Sequence, residues 1–328
     1  MFMTAALIAV AVAAVGPSSC RKGYSGEMAP IAVGMESTAV NSLIYIAAGR
    51  GYFSENGLDV TLKDSYPSGS AAVAGMLKGE VDVATAAELA IVTQAFARQE
   101  VLTFGSIDRF MHQYLIGRKD RGISDVSDLK GKRIGAPLKT GAQFNLDRFL
   151  DLNRIDKTQV TLIDVQAPQA VAALMEGDLD AVVAWQPNVM ALKERLGEQA
   201  SIWSIHNDQP TYCALTTTRA WAAAHADLMV RFLQSLAQAE DYLNRHPVEA
   251  KALVQKRLKY DDEYIAAIWP EHQFSLTLDQ SLILAMEDQA RWTIANNLTT
   301  ERQVPDFLDY IYEDALKSVK PRAVNIIR

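Results

Sequence analysis

Short apolar runs alternate along this chain with longer stretches whose apolar positions recur every third or fourth residue. The first pattern predicts buried strands and the second amphipathic helices. Strands are expected over 30–34 and 59–62, separated by a short helix over 41–48 and a compact turn over 49–58. Ser68-Gly69-Ser70 opens an alanine-rich helix through Leu77, followed by a strand over 81–84, a helix over 88–98 and a buried strand over 101–107. A second block starts near 114–117. It continues with a polar turn over 128–135, a helix over 140–152 that buries Phe144, Leu146, Phe149 and Leu150, and a strand over 160–164. Pro168 suits the first position of the next helix, which ends at Gly177 before a strand over 181–184. After one more strand over 211–217 the pattern turns helical. Thr277-Leu278-Asp279-Gln280 reads as a capping box ahead of a helix over 282–295. Strands alternating with helices in this way predict an α/β fold with mostly parallel sheets covered on both faces.

One unit of this pattern occurs twice. Leu77-Lys78-Gly79-Glu80-Val81-Asp82-Val83-Ala84 is matched type for type by Met175-Glu176-Gly177-Asp178-Leu179-Asp180-Ala181-Val182. Each glycine can adopt the left-handed conformation that ends a helix, so each marks a helix-to-strand junction. Two such junctions, 98 positions apart, predict two similarly wound lobes with a cleft between them.

Length and charge narrow the reading. A chain of 328 residues is long enough for two domains. A formal net charge of −7 argues against a nucleic-acid surface, which would be basic. Residues 1–27 are expected to be an export signal and flexible lead, because the small and apolar run 5–16 suits the apolar region of a signal. Cys20 follows Pro17-Ser18-Ser19 and resembles a bacterial lipoprotein lipidation site. It departs from that pattern at Pro17 and in having no Lys or Arg before the apolar run. Cys20 and Cys213 are the only cysteines, which excludes a disulfide scaffold or a cysteine metal framework, and Cys213 reads as a buried apolar residue. The five histidines show no ligand spacing, and no G-x-S-x-G, H-E-x-x-H, P-loop or G-x-G-x-x-G motif occurs. No catalytic residue, metal or cofactor is therefore assigned.

Candidate chemistry sits where strands end, since open α/β sheets bind ligands there. Ser68-Gly69-Ser70 and Thr140-Gly141-Ala142-Gln143 each place small hydroxyl residues and free N–H groups at a helix start, which favours an anion or polar oxygen. Both also read as plain N-caps, and the two readings stay open. Ser37-Thr38 follows the first strand, Ala87-Glu88 the repeated strand of the first lobe, and Trp185-Gln186 its counterpart in the second. Trp185 suits an apolar wall with a polar edge or a core tryptophan capping the sheet. Arg109 suits a carboxylate or sulfonate, or a surface charge near the inter-lobe crossing. Glu88 suits an amine, or the first turn of a helix. Arg109 and Lys139 point to an oxyanion, Glu88 and Asp108 to an amine, and together to a zwitterion.

With these elements in place the chain resembles the substrate-binding proteins of nitrate/sulfonate/taurine-type ABC importers. The resemblance is carried by 51–60 (Gly-Tyr-Phe-Ser-Glu-Asn-Gly-Leu-Asp-Val), Gly79-Glu80-Val81-Asp82, Asp128-Leu129-Lys130-Gly131-Lys132-Arg133-Ile134-Gly135 and 175–181 with Trp185-Gln186-Pro187. It implies a bilobed periplasmic-binding-protein (type II) fold, with two Rossmann-like lobes, two crossing segments near 106–113 and 207–212, and C-terminal covering helices. Residues 28–110 with 212–328 would form lobe one and 111–211 lobe two. It also implies a monomer in the periplasm or at the cell surface, anchored through lipid on Cys20, that binds a small-molecule solute and docks an inner-membrane ABC permease. The ligand would lie among Ser37-Thr38, Ala87-Glu88 and Thr140-Gly141-Ala142-Gln143. Two alternatives stand beside this reading: an enzyme on the same fold, resembling chorismate dehydratase or pyrimidine-precursor synthase, and a solute-sensing module for a membrane receptor.

Overall fold

A computed structural model describes residues 24–206 and 208–328. The expected export segment up to residue 23, Cys20 included, lies outside the described residues. In chain order the strands are β1 (Ala29–Gly34), β2 (Leu58–Lys63), β3 (Val83–Ala87), β4 (Val101–Phe110), β5 (Tyr114–Arg118), β6 (Arg133–Ala136), β7 (Thr161–Asp164), β8 (Ala181–Ala184), β9 (Ala200–Ser204), β10 (Thr211–Thr218) and β11 (His272–Thr277). Helices α1 (Ser42–Gly49), α2 (Tyr52–Glu55), α3 (Gly69–Leu77) and α4 (Glu88–Phe96) link the first four strands. Helices α5 (Gly141–Leu152), α6 (Ala167–Glu176) and α7 (Asn188–Leu196) link β6 to β9. Beyond β10 come α8 (Arg219–Ala224), α9 (Ala226–Arg245), α10 (Pro247–Leu258), α11 (Asp262–Ile268), α12 (Gln280–Ala295) and α13 (Asp314–Val319), with β11 between α11 and α12.

The strands form two sheets, ordered β2-β1-β3-β10-β4-β11 and β7-β6-β8-β5-β9. The first five strands of the one correspond in position to the five of the other. In each sheet four strands share a direction, β2, β1, β3 and β4 in the one and β7, β6, β8 and β9 in the other, and a strand of opposite direction lies among them. That strand, β10 or β5, is the one on which the chain enters the sheet. The expectation of mostly parallel sheets holds for strand direction, with β10 and β11 in the one sheet and β5 in the other running the opposite way. A chain arriving from the other sheet enters at the end where the parallel strands finish, so it has to run against them.

The repeated unit has the same geometry in both sheets. Gly79 and Gly177 take φ of 77° and 89°, the left-handed region that favours glycine. Glu80 N–H returns to Gly75 O at 2.9 Å and Asp178 N–H to Ala173 O at 3.0 Å. Asp82 then exchanges two bonds with Ala32 of β1, its N–H reaching Ala32 O at 2.9 Å and its carboxylate accepting from Ala32 N–H at 2.7 Å. Asp180 does the same with Arg133 of β6, at 2.9 Å in both directions, and its carboxylate also takes the Arg133 guanidinium at 3.0 Å. Each aspartate therefore zips the start of its strand to the neighbouring one. It holds a backbone N–H that the short strand would otherwise leave unpaired.

The largest core lies on one face of the first sheet, under α1, α9 and α12, where Phe232 of α9 stacks on Phe53 at 5.3 Å and meets Phe104 edge-on at 6.4 Å. The C-terminal helices thus cover the first sheet, as expected. The second sheet has a core on each face, one with α5 and one with α6 and α7. Among the described residues no helix is long and apolar enough to cross a membrane.

Several local expectations are corrected. The turn at 49–58 contains the helical turn α2. The strand expected over 81–84 lies at Val83–Ala87, because Asp82 is held by the β1 backbone just before it. Pro168 is the second residue of α6, after Ala167. No capping box forms at Thr277 to Gln280. Thr277 ends β11, and Asp279 caps α12 without a side-chain bond. Its carboxylate faces Arg109 instead, at 3.8 Å. The strands β9 and β11 and the helices α7, α8, α11 and α13 were not anticipated by the hydrophobic pattern. The first crossing is shorter than expected, because 106–110 belongs to β4 and only 111–113 connects the sheets. The second connection spans 205–210, and Tyr212 belongs to β10.

Replacing either zipping aspartate, as in Asp82→Ala or Asp180→Ala, is expected to lower unfolding free energy by about 1–3 kcal/mol, the range for hydrogen bonds to a charged group. Urea denaturation followed by circular dichroism measures this; unchanged midpoints would show that the pairing does not hold the strands.

Candidate functional site

The parallel strands of both sheets end toward each other, and the loops beyond them enclose a cleft of about 840 Å³. The first sheet supplies the segment after β1 (Glu36 to Asn41), the start of α3, the end of β3 and parts of α4 and α12. The second supplies the loop between β6 and α5, the start of α6, and Trp185-Gln186 after β8. Tyr260 and Tyr264 enter from the α11 region and Glu271-His272 from the start of β11.

Every predicted ligand-binding residue lines this cleft except Glu88, Arg109 and Gln143. Glu88 is 1% exposed and its carboxylate points inward, accepting from Tyr212 N–H at 3.0 Å and from Gln289 Nε2 at 3.1 Å. Arg109 lies within β4, paired with Tyr212 and Gln273 across the sheet and facing Asp279. The extra length of β4 carries it away from the cleft. Gln143 folds back, its Oε1 accepting from Lys139 N–H at 2.7 Å, and so braces the loop.

The two helix starts differ. At α3, Ser68 Oγ accepts from Ala71 N–H at 3.1 Å, and the Glu36 carboxylate is bonded by the Gly69 N–H. The chain's own acid therefore takes the place an anion would occupy. Gly69 is needed there for space, since a Cβ would lie 2.8 Å from Ala86 Cα. At α5, Thr140 Oγ1 accepts from Ala142 N–H at 3.2 Å and donates to Pro137 O at 2.7 Å. Space around Gly141 is open, and Lys139 lines the cleft beside it. This helix start is both positive and unfilled by a side-chain acid.

The remaining walls were not visible in the sequence. His112 stacks on Phe110 at 4.6 Å and lies 6.5 Å from Trp185, making an aromatic wall across the two sheets. Burial, with His272 and His206 nearby, pushes His112 down to about 3, so it is neutral at ordinary pH. His272 bonds the fully buried Asp108 at 2.6 Å. Burial raises the Asp108 carboxyl while the His272 bond lowers it. His206 lies between the crossings, its Nε2 accepting from Gln113 N–H at 3.2 Å and its Nδ1 facing Gln209 O at 3.3 Å. Burial pushes it down to about 4, and the neutral ring suits both bonds. The Cys213 thiol is raised by burial and by nearby carboxylates, the reverse of what a nucleophile needs.

Among the described residues, three side-chain hydrogen bonds bridge the two halves. Trp292 of α12 donates to Asp147 of α5 at 2.8 Å and packs edge-on against Phe144. Lys157 reaches Asn296 at 2.8 Å, and Tyr114 donates to Glu271 at 2.8 Å.

Two α/β sheets joined by two short crossings, with a lined cleft between facing strand ends, define the fold of the periplasmic binding proteins. The alkanesulfonate-binding protein SsuA from Xanthomonas axonopodis pv. citri, bound to MOPS, superposes with a TM-score of 0.71 at 20% identity, covering 88% of this chain and 100% of that one. The chain belongs to the NMT1/THI5-like family, whose pattern matches residues 39–250. Relatives include the taurine-binding periplasmic protein of Escherichia coli (strain K12), 24% identical over 180 residues, which is 53% of this chain and 55% of the relative. The 4-amino-5-hydroxymethyl-2-methylpyrimidine phosphate synthase of Aspergillus parasiticus is 26% identical over 231 residues, 65% of this chain and 66% of that protein.

Glu88 carries a pH prediction. Burial raises its carboxyl to about 7, against opposing bonds from its own N–H, Tyr212 N–H and Gln289. A raised folded-state pKa means that the folded protein binds the extra proton. The stabilisation is complete below about pH 4.5 and is lost as pH rises through 7. Relative to Glu88→Gln, wild-type unfolding free energy should fall by on the order of 3 kcal/mol between pH 4.5 and 8. Paired urea titrations measure it, and a difference that stays constant with pH would refute it.

Proposed function

We propose that this protein is the extracytoplasmic solute-binding component of an ABC importer and captures a small polar or anionic solute by closure of its two lobes. The observation that carries this reading is a cleft lined from both sheets across two short crossings. A solute that touches both walls stabilises the closed arrangement by its differential affinity for it. We assign residues 28–110 with 212–328 to one moving body and 111–211 to the other. The binding residues are Ser37, Thr38, Ser68, Gly69, Ser70 and Ala87 on one side and Thr140, Gly141, Ala142, Trp185 and Gln186 on the other, joined by Lys139.

The start of α5 with Lys139 is the place for an anionic group such as a sulfonate, because helix N–H groups and an ammonium converge there. The taurine-binding relative and the SsuA neighbour support a solute of this kind. The taurine-binding relative is a periplasmic protein, which supports a periplasmic location. Delivery to a membrane permease as a monomer, with Cys20 as lipid anchor, is part of the proposal. The reading as a binding protein and not an enzyme is supported by the taurine-binding relative and the sulfonate-binding SsuA neighbour.

Small-angle scattering and Trp185 fluorescence with a panel of sulfonates, nitrate and zwitterions test closure. A binding solute is expected to shrink the radius of gyration, and a tight binder that leaves it unchanged would count against the mechanism. Lys139→Ala is expected to weaken a sulfonate about tenfold in calorimetry. Trp292→Phe, which removes the bond to Asp147 across the cleft edge, is expected to raise the radius of gyration of the unliganded protein.

A further inference from the structure

The first-sheet wall of the cleft carries oxygen acceptors that have no partner in the protein. Gln289 is 4% exposed and lines the cleft, and its Oε1 is buried without a hydrogen bond. Its orientation is set from behind. Nε2 donates to Glu88 Oε1 at 3.1 Å, and an ionised carboxylate can only accept, so the amide oxygen is left on the other side. Glu271 is in the same condition. Tyr114 occupies its Oε1, and Oε2 is buried and unpaired on the same cleft. Glu36 adds a second carboxylate, bonded by one backbone N–H at Gly69.

Buried acceptors left unpaired are costly, and those in a binding cleft are the ones a ligand can satisfy. The cationic groups near Glu271 are Lys193 and His272, and neither bonds its Oε2. Lys139 stands on the opposite wall at the start of α5, and no arginine among the described residues lines the cleft. Burial raises both the Glu36 and the Glu271 carboxyl, against the Gly69 N–H bond at the one and Tyr114, His272 and Lys193 at the other.

We propose that the first-sheet wall receives a protonated nitrogen of the solute, an ammonium or amidinium group, held by Gln289 Oε1, Glu271 Oε2 and the Glu36 carboxylate. The proposal rests on the solute-binding reading and sharpens it. The preferred solute is dipolar, its anionic end at Lys139 and the start of α5 and its cationic end on the opposite wall.

Matched pairs that differ only in the amine test it. The full chain is titrated by calorimetry at pH 8, where Glu88 is ionised, with taurine against ethanesulfonate and 3-aminopropanesulfonate against propanesulfonate. Ethanolamine serves as an amine without the anion. The amine-bearing member is expected to bind at least tenfold tighter in wild type. That ratio should fall below threefold in Gln289→Met and in Glu271→Gln, two variants of nearly unchanged size whose melting temperatures are checked alongside. Equal affinity within both pairs overturns the inference, as does a ratio that both variants preserve. An amine-free sulfonate that binds and contracts the protein in scattering would leave the solute-binding reading standing while the cationic subsite fell. If no amine-bearing compound in the set binds, the inference is overturned for this class. Native mass spectrometry of the protein as purified then tests the solute-binding reading by whether a small molecule is retained.

Discussion

The whole arrangement depends on the chain crossing between two sheets twice, through connections of only a few residues. Short connections require the strand ends they join to face each other. The parallel strands of both sheets therefore finish at one cleft, and the entering strands β5 and β10 run against them beside the leaving strands β9 and β4. The same constraint puts the loops after β1, β3, β6 and β8 around one volume, each ready to carry a side chain or N–H toward a shared ligand. His206, neutral and bonded to both crossings, ties the two connections where the lobes would pivot.

Most of this architecture was legible in the sequence, for a physical reason. A glycine that ends a helix, an acidic residue and an aspartate before a short apolar strand are local requirements of one junction. They left the same signature at 79–82 and 177–180. The helix starts at Ser68 and Thr140 were equally local, since a hydroxyl caps N–H groups two or three residues away. What stayed hidden was non-local. His272–Thr277 alternates too weakly to announce β11, and it is a strand only because β4 offers an edge. Placing Thr277 in that strand removes the capping box its sequence suggests. Glu88 and Arg109 have the right chemistry at the right strand ends. Side-chain direction is set by the partners they find, Tyr212 and Gln289 for one and Asp279 for the other.

The two helix starts show why similar motifs need not share a role. Both present small residues and N–H groups to the cleft, but Glu36 takes the Gly69 N–H of the first, whereas beside the second Asp164 takes the Leu138 N–H ahead of the helix. One charged side chain, two residues beyond the end of β1, is enough to convert an anion-favouring position into an internally satisfied one. The duplication produced two equivalent frames, and the side chains placed on them made the two walls electrically unlike.

Unlike walls are what a closing cleft can exploit. On the proposed reading, an anion alone is held at Lys139 and the start of α5, on one wall of the cleft. A solute that also carries a positive group leaves that group exposed until the first-sheet acceptors come within hydrogen-bond distance. Its affinity for the closed arrangement then exceeds that for the open one by the strength of those added bonds. Recognition of both ends and lobe closure thus become the same event. Glu88 serves it without touching the solute: buried behind Gln289, it fixes which end of the amide faces the cleft.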